Sequence, residues 1–233
     1  MMIREVIEVQ RQWLGEARRQ KGWTQKEAAA RLGVSQAYLS LLEHNLRPVS
    51  KQLLPKLQTQ LEVPATELPV EALNQHDPQQ LAEALGALGY PGFAYLKRGR
   101  RRNPVEVLFA ALVMPNLETR LAEALPWVAM RHPDLNWEWL LERVKVRDVQ
   151  NRLGFVVTLA HQVTERKGDH ATASKLAAVE RQLERSRLAN EDTFCRDAMT
   201  ETERRWLQNR RPPDAARWHL LTDLRSDQLP YAT

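Results

Sequence analysis

Residues 24–43, TQKEAAARLGVSQAYLSLLE, hold two short helical patterns on either side of a brief turn. Thr24 and Glu27 have the spacing of a capping box, in which two side chains satisfy backbone amides at a helix N-terminus. Gly33 suits the turn because glycine adopts a left-handed backbone freely, and Ser35 suits the N-cap of the second helix. Ala29 beside the turn is small, so the stretch predicts two helices that cross at close range.

The rest of the chain carries further helix signals. Asp77-Pro78 and Asn103-Pro104 each place a capping side chain before a proline at the first helical position, and Thr200 with Glu203 forms a second capping box. The alternation of β-branched and aromatic residues that marks a strand is absent. The sequence therefore predicts an all-α fold, and its helices beyond the first unit are expected over 78–88, 104–114, 117–131, 136–146, 148–166, 171–189, 200–209 and 213–224.

A proline after Val63 and the basic run KRGRRR at 97–102 divide the chain into three predicted parts. These are a helical N-terminal domain over residues 1–68, a helix with a basic linker over 69–103, and a larger helical C-terminal domain over 104–233. The clearest element of the last part is a pair of helices joined at Gly168-Asp169, a stop and a start signal. Their apolar residues fall on one stripe each, at Val149, Leu153, Val156, Ala160 and Val163 and then at Leu176, Val179 and Leu183. This pattern predicts an antiparallel helical hairpin.

Positive charge is concentrated near the beginning of the chain. Residues 1–60 hold ten Lys and Arg against five Asp and Glu, residues 97–102 add five positive charges, and the remainder from 103 is balanced at nineteen against nineteen. Such a distribution is expected for a small module that faces a polyanion, although clustering on solvated faces would also produce it. The 97–102 run serves either as additional phosphate contacts or only as a soluble linker.

The remaining composition indicates a soluble protein. One cysteine, Cys195, cannot form an internal disulfide, so a reducing compartment and a buried inert thiol are expected. The N-terminal residues lack the continuous apolar stretch of a signal peptide. The longest apolar run, 107–114, is much shorter than the roughly 20 residues of a membrane span. We therefore expect a cytoplasmic location.

The outer face of the helix over 35–43 has an unusual composition. It presents Gln36, Ala37, Ser40 and Leu41, and no charged residue occurs between Ser35 and Leu42. A solvated helix normally carries charges there. Compact donors, acceptors and small apolar groups suit the edges of bases, since glutamine can pair with adenine N6 and N7 and methyl contacts suit thymine.

Residues 14–64 resemble the Cro/C1-type, or XRE-family, helix-turn-helix domain. The matching features are Arg18, Thr24-Gln25, Ala29, Gly33-Val34-Ser35, Leu39, Leu42 and Glu43. The resemblance implies a lambda-repressor-like bundle whose core contains Leu14, Ala17, Trp23, Ala28, Leu32, Leu57 and Leu61. Ala28 departs from the leucine common in the family, and Pro55 departs from a regular fourth helix, which should start late or kink.

The same resemblance implies a role for each polar residue around the second helix. Gln36, Ala37, Ser40 and Leu41 should face bases in the major groove of double-stranded DNA. The residues expected at phosphates are Gln25, Tyr38, Asn45 and Arg47. Arg18 and Glu43 should form the family's internal ion pair, which is structural.

No catalytic constellation is evident in the remainder of the chain. The six histidines show no metal-ligand spacing, and phosphate-loop or nucleophile-elbow motifs are absent, so no metal, cofactor or enzymatic activity is expected. His161 should be a satisfied structural histidine. Trp137 and Trp139 point about 200° apart on one helix, so either both are buried on two sides or one contacts a partner.

The sequence thus predicts a sequence-specific DNA-binding transcription regulator, a homodimeric repressor of its own operon. The C-terminal region loosely resembles helical regions of antitoxin-like regulators. An alternative function is therefore an antitoxin whose C-terminal domain neutralises a partner toxin and whose DNA binding is autoregulatory. A third is a sensor whose helical body binds a small ligand.

Overall fold

In this computed structural model the described residues are 12–44, 46–47, 49–50, 52–68, 70, 77–96 and 101–232. Residues 1–11, whose sequence predicts no signal peptide, lie outside this set. Residues 97–100 of the basic run also lie outside it. The chain divides into two compact units, Met1–Pro69 and Val70–Thr233. Both are predominantly helical, so the predicted all-α class with an N-terminal helix-turn-helix bundle is confirmed.

The described part of the first unit holds four short helices and a 3-10 turn. They are α1 (Gln12–Gln20), α2 (Gln25–Leu32), α3 (Gln36–Glu43), α4 (Leu54–Gln60) and the turn Ala65–Glu67. Pro55 stands in the first turn of α4, where a missing amide hydrogen costs nothing. The sequence predicted that this helix would either start late or kink at Pro55. The helix starts late and does not kink.

The core of the first unit contains most of the predicted residues. Leu14, Ala28, Leu32, Leu57 and Leu61 are all buried. Ala17 and Trp23 are only half-buried, so their assignment to the core was wrong. The Trp23 ring lies at the surface under the guanidinium of Arg31, 4.0 Å from the ring centroid, and this cation–π contact explains its position.

The second unit is built around one long helix. Its helices are α5 (Pro78–Leu88), α6 (Pro104–Leu112), α7 (Thr119–Arg131), α8 (Trp137–Val146), α9 (Gln150–Arg166), α10 (His170–Glu184), α11 (Glu201–Arg210) and α12 (Pro213–Arg217), with a 3-10 segment at Pro91–Leu96. Helix α5, predicted as part of a separate segment with the linker, packs on α6 and α7. No helix in the described part of the chain has the length and hydropathy needed to cross a bilayer.

The predicted hairpin is confirmed, since α9 packs along α10 and both apolar stripes are buried. Helix α9 is more deeply enclosed than its stripe indicated, because every residue from 150 to 160 is buried. Its one glycine, Gly154, faces the fully buried ring of Trp218. The Trp218 indole N–H donates to Thr158 Oγ1 at 2.8 Å, and Thr158 donates in turn to Glu180 on α10 at 2.9 Å.

Three predictions about the C-terminal part of the chain were wrong. Strands β1 (Asp192–Thr193) and β2 (Leu220–Leu221) pair in parallel, although two residues are too few for alternation to be visible. The helix expected over 213–224 ends at Arg217, because Trp218 turns into the core and His219 adopts a left-handed backbone with φ of 53°. The helix expected to reach 189 ends at Glu184.

Polar side chains of α9 hold the segment that follows α10. Asn151 accepts from the Leu188 amide at 2.9 Å and donates to the Leu188 carbonyl at 3.0 Å. The buried guanidinium of Arg152 donates to both carboxylate oxygens of Asp192, at 2.7 and 3.0 Å, and to the Leu112 carbonyl at 3.1 Å. These bonds fix the segment up to β1 against α9 and satisfy a buried cation, which would otherwise be costly.

Several single-residue expectations are also resolved. Cys195 is buried as expected, and burial raises the pKa of its thiol to about 12, so the unreactive protonated form dominates at neutral pH. His161 lies 3.0 Å from Glu180 and 3.3 Å from Glu165, as expected for a structural histidine.

Trp137 and Trp139 are both half-buried, so neither is enclosed in a core. Their contacts are with the Pro133 carbonyl and the Phe109 ring, respectively.

Replacing Gly154 by alanine should destabilise the second unit. A Cβ at this position would lie 2.3 Å from Trp218, and overpacking of this kind costs about 1–3 kcal/mol, more than the roughly 1 kcal/mol that alanine gains in a helix. Urea unfolding should therefore show a net loss. In a Trp218→Phe background, where the smaller ring removes the clash, the same change should cost much less. Equal losses in both backgrounds would contradict this packing.

Candidate nucleic-acid interface

Local signals fix the two helices of the turn as the sequence predicted. Thr24 and Glu27 form the capping box of α2, and Ser35 accepts from the Tyr38 amide at the start of α3. Gly33 ends α2 in a left-handed conformation with φ of 71°, and its amide donates to the carbonyls of Ala29 and Ala30. The ends of α2 and α3 are therefore set by hydrogen bonds within the motif itself.

A lysine from α4 adds a longer-range contact that sequence reasoning missed. The Lys56 ammonium donates to the Leu32 carbonyl at 3.1 Å, and so satisfies an acceptor at the C-terminus of α2, where positive charge is favoured. The acceptor lies 24 residues earlier in the chain. No local pattern connects two residues at that separation, so the signal was not available from the sequence.

An ion pair ties α1 to the C-terminal end of α3. Arg18 Nε donates to Glu43 Oε1 at 2.6 Å, and Arg18 Nη2 donates to Glu43 Oε2 at 3.1 Å. The two side chains are 13% and 7% exposed. Arg18 Nη1 also donates to the Trp23 carbonyl at 2.8 Å, so one guanidinium holds α1, the loop before α2 and α3 together.

The electrostatics of this pair favour both charged forms. Burial of the Glu43 carboxylate acts to raise its pKa, but hydrogen bonds from Arg18 and Gln25 outweigh this effect and hold the pKa below the usual range. The hydrogen bond to Glu43 raises the pKa of Arg18. Glu43 is therefore ionised at neutral pH.

Gln25, predicted at a phosphate, belongs to the same network. Its Nε2 donates to Glu43 Oε2 at 3.0 Å, and its side chain is half-buried. The hydrogen bond links the first residue of α2 to the last residue of α3. One amide hydrogen of Gln25 is thereby used within the protein, while the second hydrogen of the NH₂ group is a further donor.

The four residues predicted to face bases lie on the side of α3 away from the core. Gln36 and Ala37 are exposed, and Ser40 and Leu41 are half-buried. On the opposite side, Leu39 and Leu42 are fully enclosed by the bundle, as their spacing indicated. The face is uncharged and accessible, and the helix that carries it is anchored at both ends.

The remaining predicted phosphate contacts are partly described. Tyr38 is half-buried on α3, and Arg47 is exposed just after it. Asn45 lies outside the described residues. The assignment of these side chains to DNA remains a prediction. Among the described residues, no group of three or more His, Cys, Asp or Glu could hold a metal ion.

Comparison with known proteins assigns the first unit. Residues 14–68 match the family model described as helix-turn-helix, which confirms the resemblance to the Cro/C1-type domain. No curated protein and no solved structure matches the chain. Residues 14–68 are thus an XRE-type helix-turn-helix domain, and the protein is a DNA-binding transcription regulator. The comparisons give no support to the antitoxin-like similarity of the C-terminal region.

The ion pair makes the first unit sensitive to acid. Because the folded pKa of Glu43 lies below its unfolded value of about 4.3, its contribution is complete above that value and is lost as the pH falls through the folded pKa. Glu43→Gln should cost about 1–3 kcal/mol at pH 7 and flatten the acid dependence. Hydrogen exchange of amides in α1–α3, followed from pH 7 to below the folded pKa of Glu43, would measure both effects.

Glu62→Gln is the matched control for this prediction. Glu62 pairs with Lys21 at 2.7 Å, but its side chain is 75% exposed, and exposed pairs contribute about 0–1 kcal/mol. If the two variants had equal effects on exchange in α1–α3, the Arg18–Glu43 pair would not be the anchor of α3.

Proposed function

We propose that the protein is a sequence-specific repressor that binds the major groove of double-stranded DNA through α3. The observation that carries the proposal is the exposed, uncharged face of Gln36, Ala37, Ser40 and Leu41 on an anchored helix. Gln36 would read adenine, and Ala37 would contact a thymine methyl. Gln25, Tyr38, Asn45 and Arg47 would hold phosphates and set the register of the helix on the duplex.

The proposed active form is a homodimer. One recognition helix reads only a few base pairs, whereas two helices about 34 Å apart read a palindromic site. Repression of the protein's own operon by promoter occlusion is the simplest mechanism for such a site, and it places the protein in the compartment that holds the DNA, which is the cytoplasm in a bacterium.

Substitutions on the reading face should weaken specific binding. Gln36→Ala and Ser40→Ala remove base contacts worth about 1–3 kcal/mol each when well formed, so affinity for the DNA upstream of the gene should fall by about tenfold or more for the pair. Affinity for scrambled DNA should not change. Fluorescence anisotropy across a salt series would measure both, because the phosphate contribution appears in the salt slope.

Gln60→Ala is the control, since Gln60 is an exposed glutamine on α4 of the same unit. It should bind like the unmodified protein. Weak binding that is equal for both DNAs and unchanged in the double variant would mean that α3 does not read bases.

A second candidate function is capture of a protein partner, such as a toxin, by the second unit. It is favoured by Trp206 on α11, a large apolar residue that is 47% exposed. The Arg210 guanidinium lies 5.3 Å from the centroid of its ring. Tryptophan and arginine are the residue types that most often anchor protein interfaces. In this account the DNA binding is autoregulatory.

Trp206→Ala should therefore abolish co-purification with the product of an adjacent gene, while DNA binding remains. Loss of an anchoring tryptophan typically costs about 2 kcal/mol or more. Tyr95→Ala is the matched control, because Tyr95 is also an exposed aromatic residue of the second unit, at 72%. Absence of a complex with the unmodified protein, or a complex insensitive to Trp206→Ala, would contradict this second candidate.

A further inference from the structure

The second unit contains a partly open cleft of about 240 Å³. Its walls come from the start of α7, the turn after β1, the middle of α11 and the segment after β2. This volume is smaller than the roughly 300–1,000 Å³ typical of ligand pockets, so only a small molecule would fit. All of its lining residues belong to the second unit.

The floor of the cleft is apolar and held in place. Leu117, Phe194, Met199, Leu207 and Leu221 line it, and each is 9% exposed or less. Met199, Leu207 and Leu221 pack together as one cluster. The apolar area of this floor that water reaches is small, and its coverage by an apolar group is favourable.

The mouth of the cleft carries charge of one predominant sign. Glu123, Arg196 and Asp223 line it. Arg196 is already neutralised by Glu203, since its Nη2 lies 2.6 Å from Glu203 Oε1. In the part of the chain that the structure describes, Glu123 and Asp223 have no ion-pair partner. The mouth therefore presents two carboxylates that are free to receive positive charge.

Neighbouring cations do not compensate these carboxylates. Arg120 stands one turn before Glu123 on α7, but its guanidinium donates to the Gly92 carbonyl at 3.0 Å and lies 5.5 Å from the Phe93 ring centroid. It is thus engaged with the 3-10 segment. An anionic ligand would meet the two carboxylates without a free arginine to receive it.

We propose that this cleft binds a small organic cation, an amine with an apolar chain or ring. The apolar part covers the floor formed by Met199, Leu207 and Leu221, and the ammonium group lies between Glu123 and Asp223. The proposal does not rest on the reading of DNA, because every residue in it belongs to the second unit.

The test is calorimetric titration of the full-length protein, without DNA, with three probes of six carbons each. These are n-hexylammonium, 1-hexanol and hexanoate. Hexylammonium should bind at one site per chain, with hexanol weaker and hexanoate weakest. Equal affinity for all three probes, or binding of none, would overturn the proposal.

One double variant locates the site, and a second serves as its control. The double variant Glu123→Gln, Asp223→Asn should reduce hexylammonium affinity about tenfold, as expected for two partly exposed charge pairs, and leave hexanol affinity unchanged. Glu118→Gln, Asp227→Asn is the control with the same charge change at exposed neighbours outside the cleft, and it should have no effect. Selective hexylammonium binding that survives the first variant would place the site elsewhere and refute the assignment.

A third variant tests the space inside the cleft. Ala122→Leu enlarges a side chain of the cleft wall and should abolish binding of both hexylammonium and hexanol in a protein whose circular dichroism is unchanged. Undiminished binding in a folded Ala122→Leu protein would also contradict the proposal. If this variant does not fold, the two charge variants decide the question alone.

Discussion

The ion pair between Arg18 and Glu43 is the interaction on which the geometry of α3, the proposed recognition helix, depends. Helix α3 has eight residues, and a helix this short is not stable in isolation. It is held by Leu39 and Leu42 in the core and by Glu43, which receives hydrogen bonds from Arg18 and Gln25. Because the anchoring residues occupy one side of the helix, its other side is left free without loss of rigidity. A reading surface needs that combination.

The network also relates a predicted phosphate contact to the proposed recognition helix α3. Gln25 begins α2 and Glu43 ends α3, and one hydrogen bond of 3.0 Å joins them. A phosphate held at the N-terminus of α2 would therefore be held at a fixed position relative to α3. Register on the DNA backbone and orientation of the base-facing residues are then set by the same three side chains.

The sequence was sufficient for those parts of the fold that are determined locally. Capping boxes at Thr24 and Thr200, the glycine turn at Gly33 and the stripe along α9 each depend on residues within a few positions of one another. Contacts between distant residues could not be predicted, including Lys56 with Leu32 and Arg152 with Asp192. The short strand pair could not be predicted for the same reason, because it is formed by tertiary contacts and not by β propensity.

The candidate sites likewise differ in how far the sequence could predict them. The exposed face of α3 could be predicted because helical periodicity separates Gln36 and Ser40 from Leu39 and Leu42. The cleft of the second unit could not, because four separate segments of the chain form it. The protein thus combines a DNA-reading unit defined by a local motif with a larger unit defined by long-range packing.

The central claim is that α3 reads bases, and selection of bound sequences from random duplex DNA at physiological salt tests it most directly. The full-length protein and Gln36→Ala would be compared in parallel. The account predicts that the unmodified protein enriches a palindromic motif with half-sites about one helical turn apart, and that Gln36→Ala relaxes the preference at one position of each half-site. Enrichment of no motif, or of the same motif by both proteins, would contradict the account.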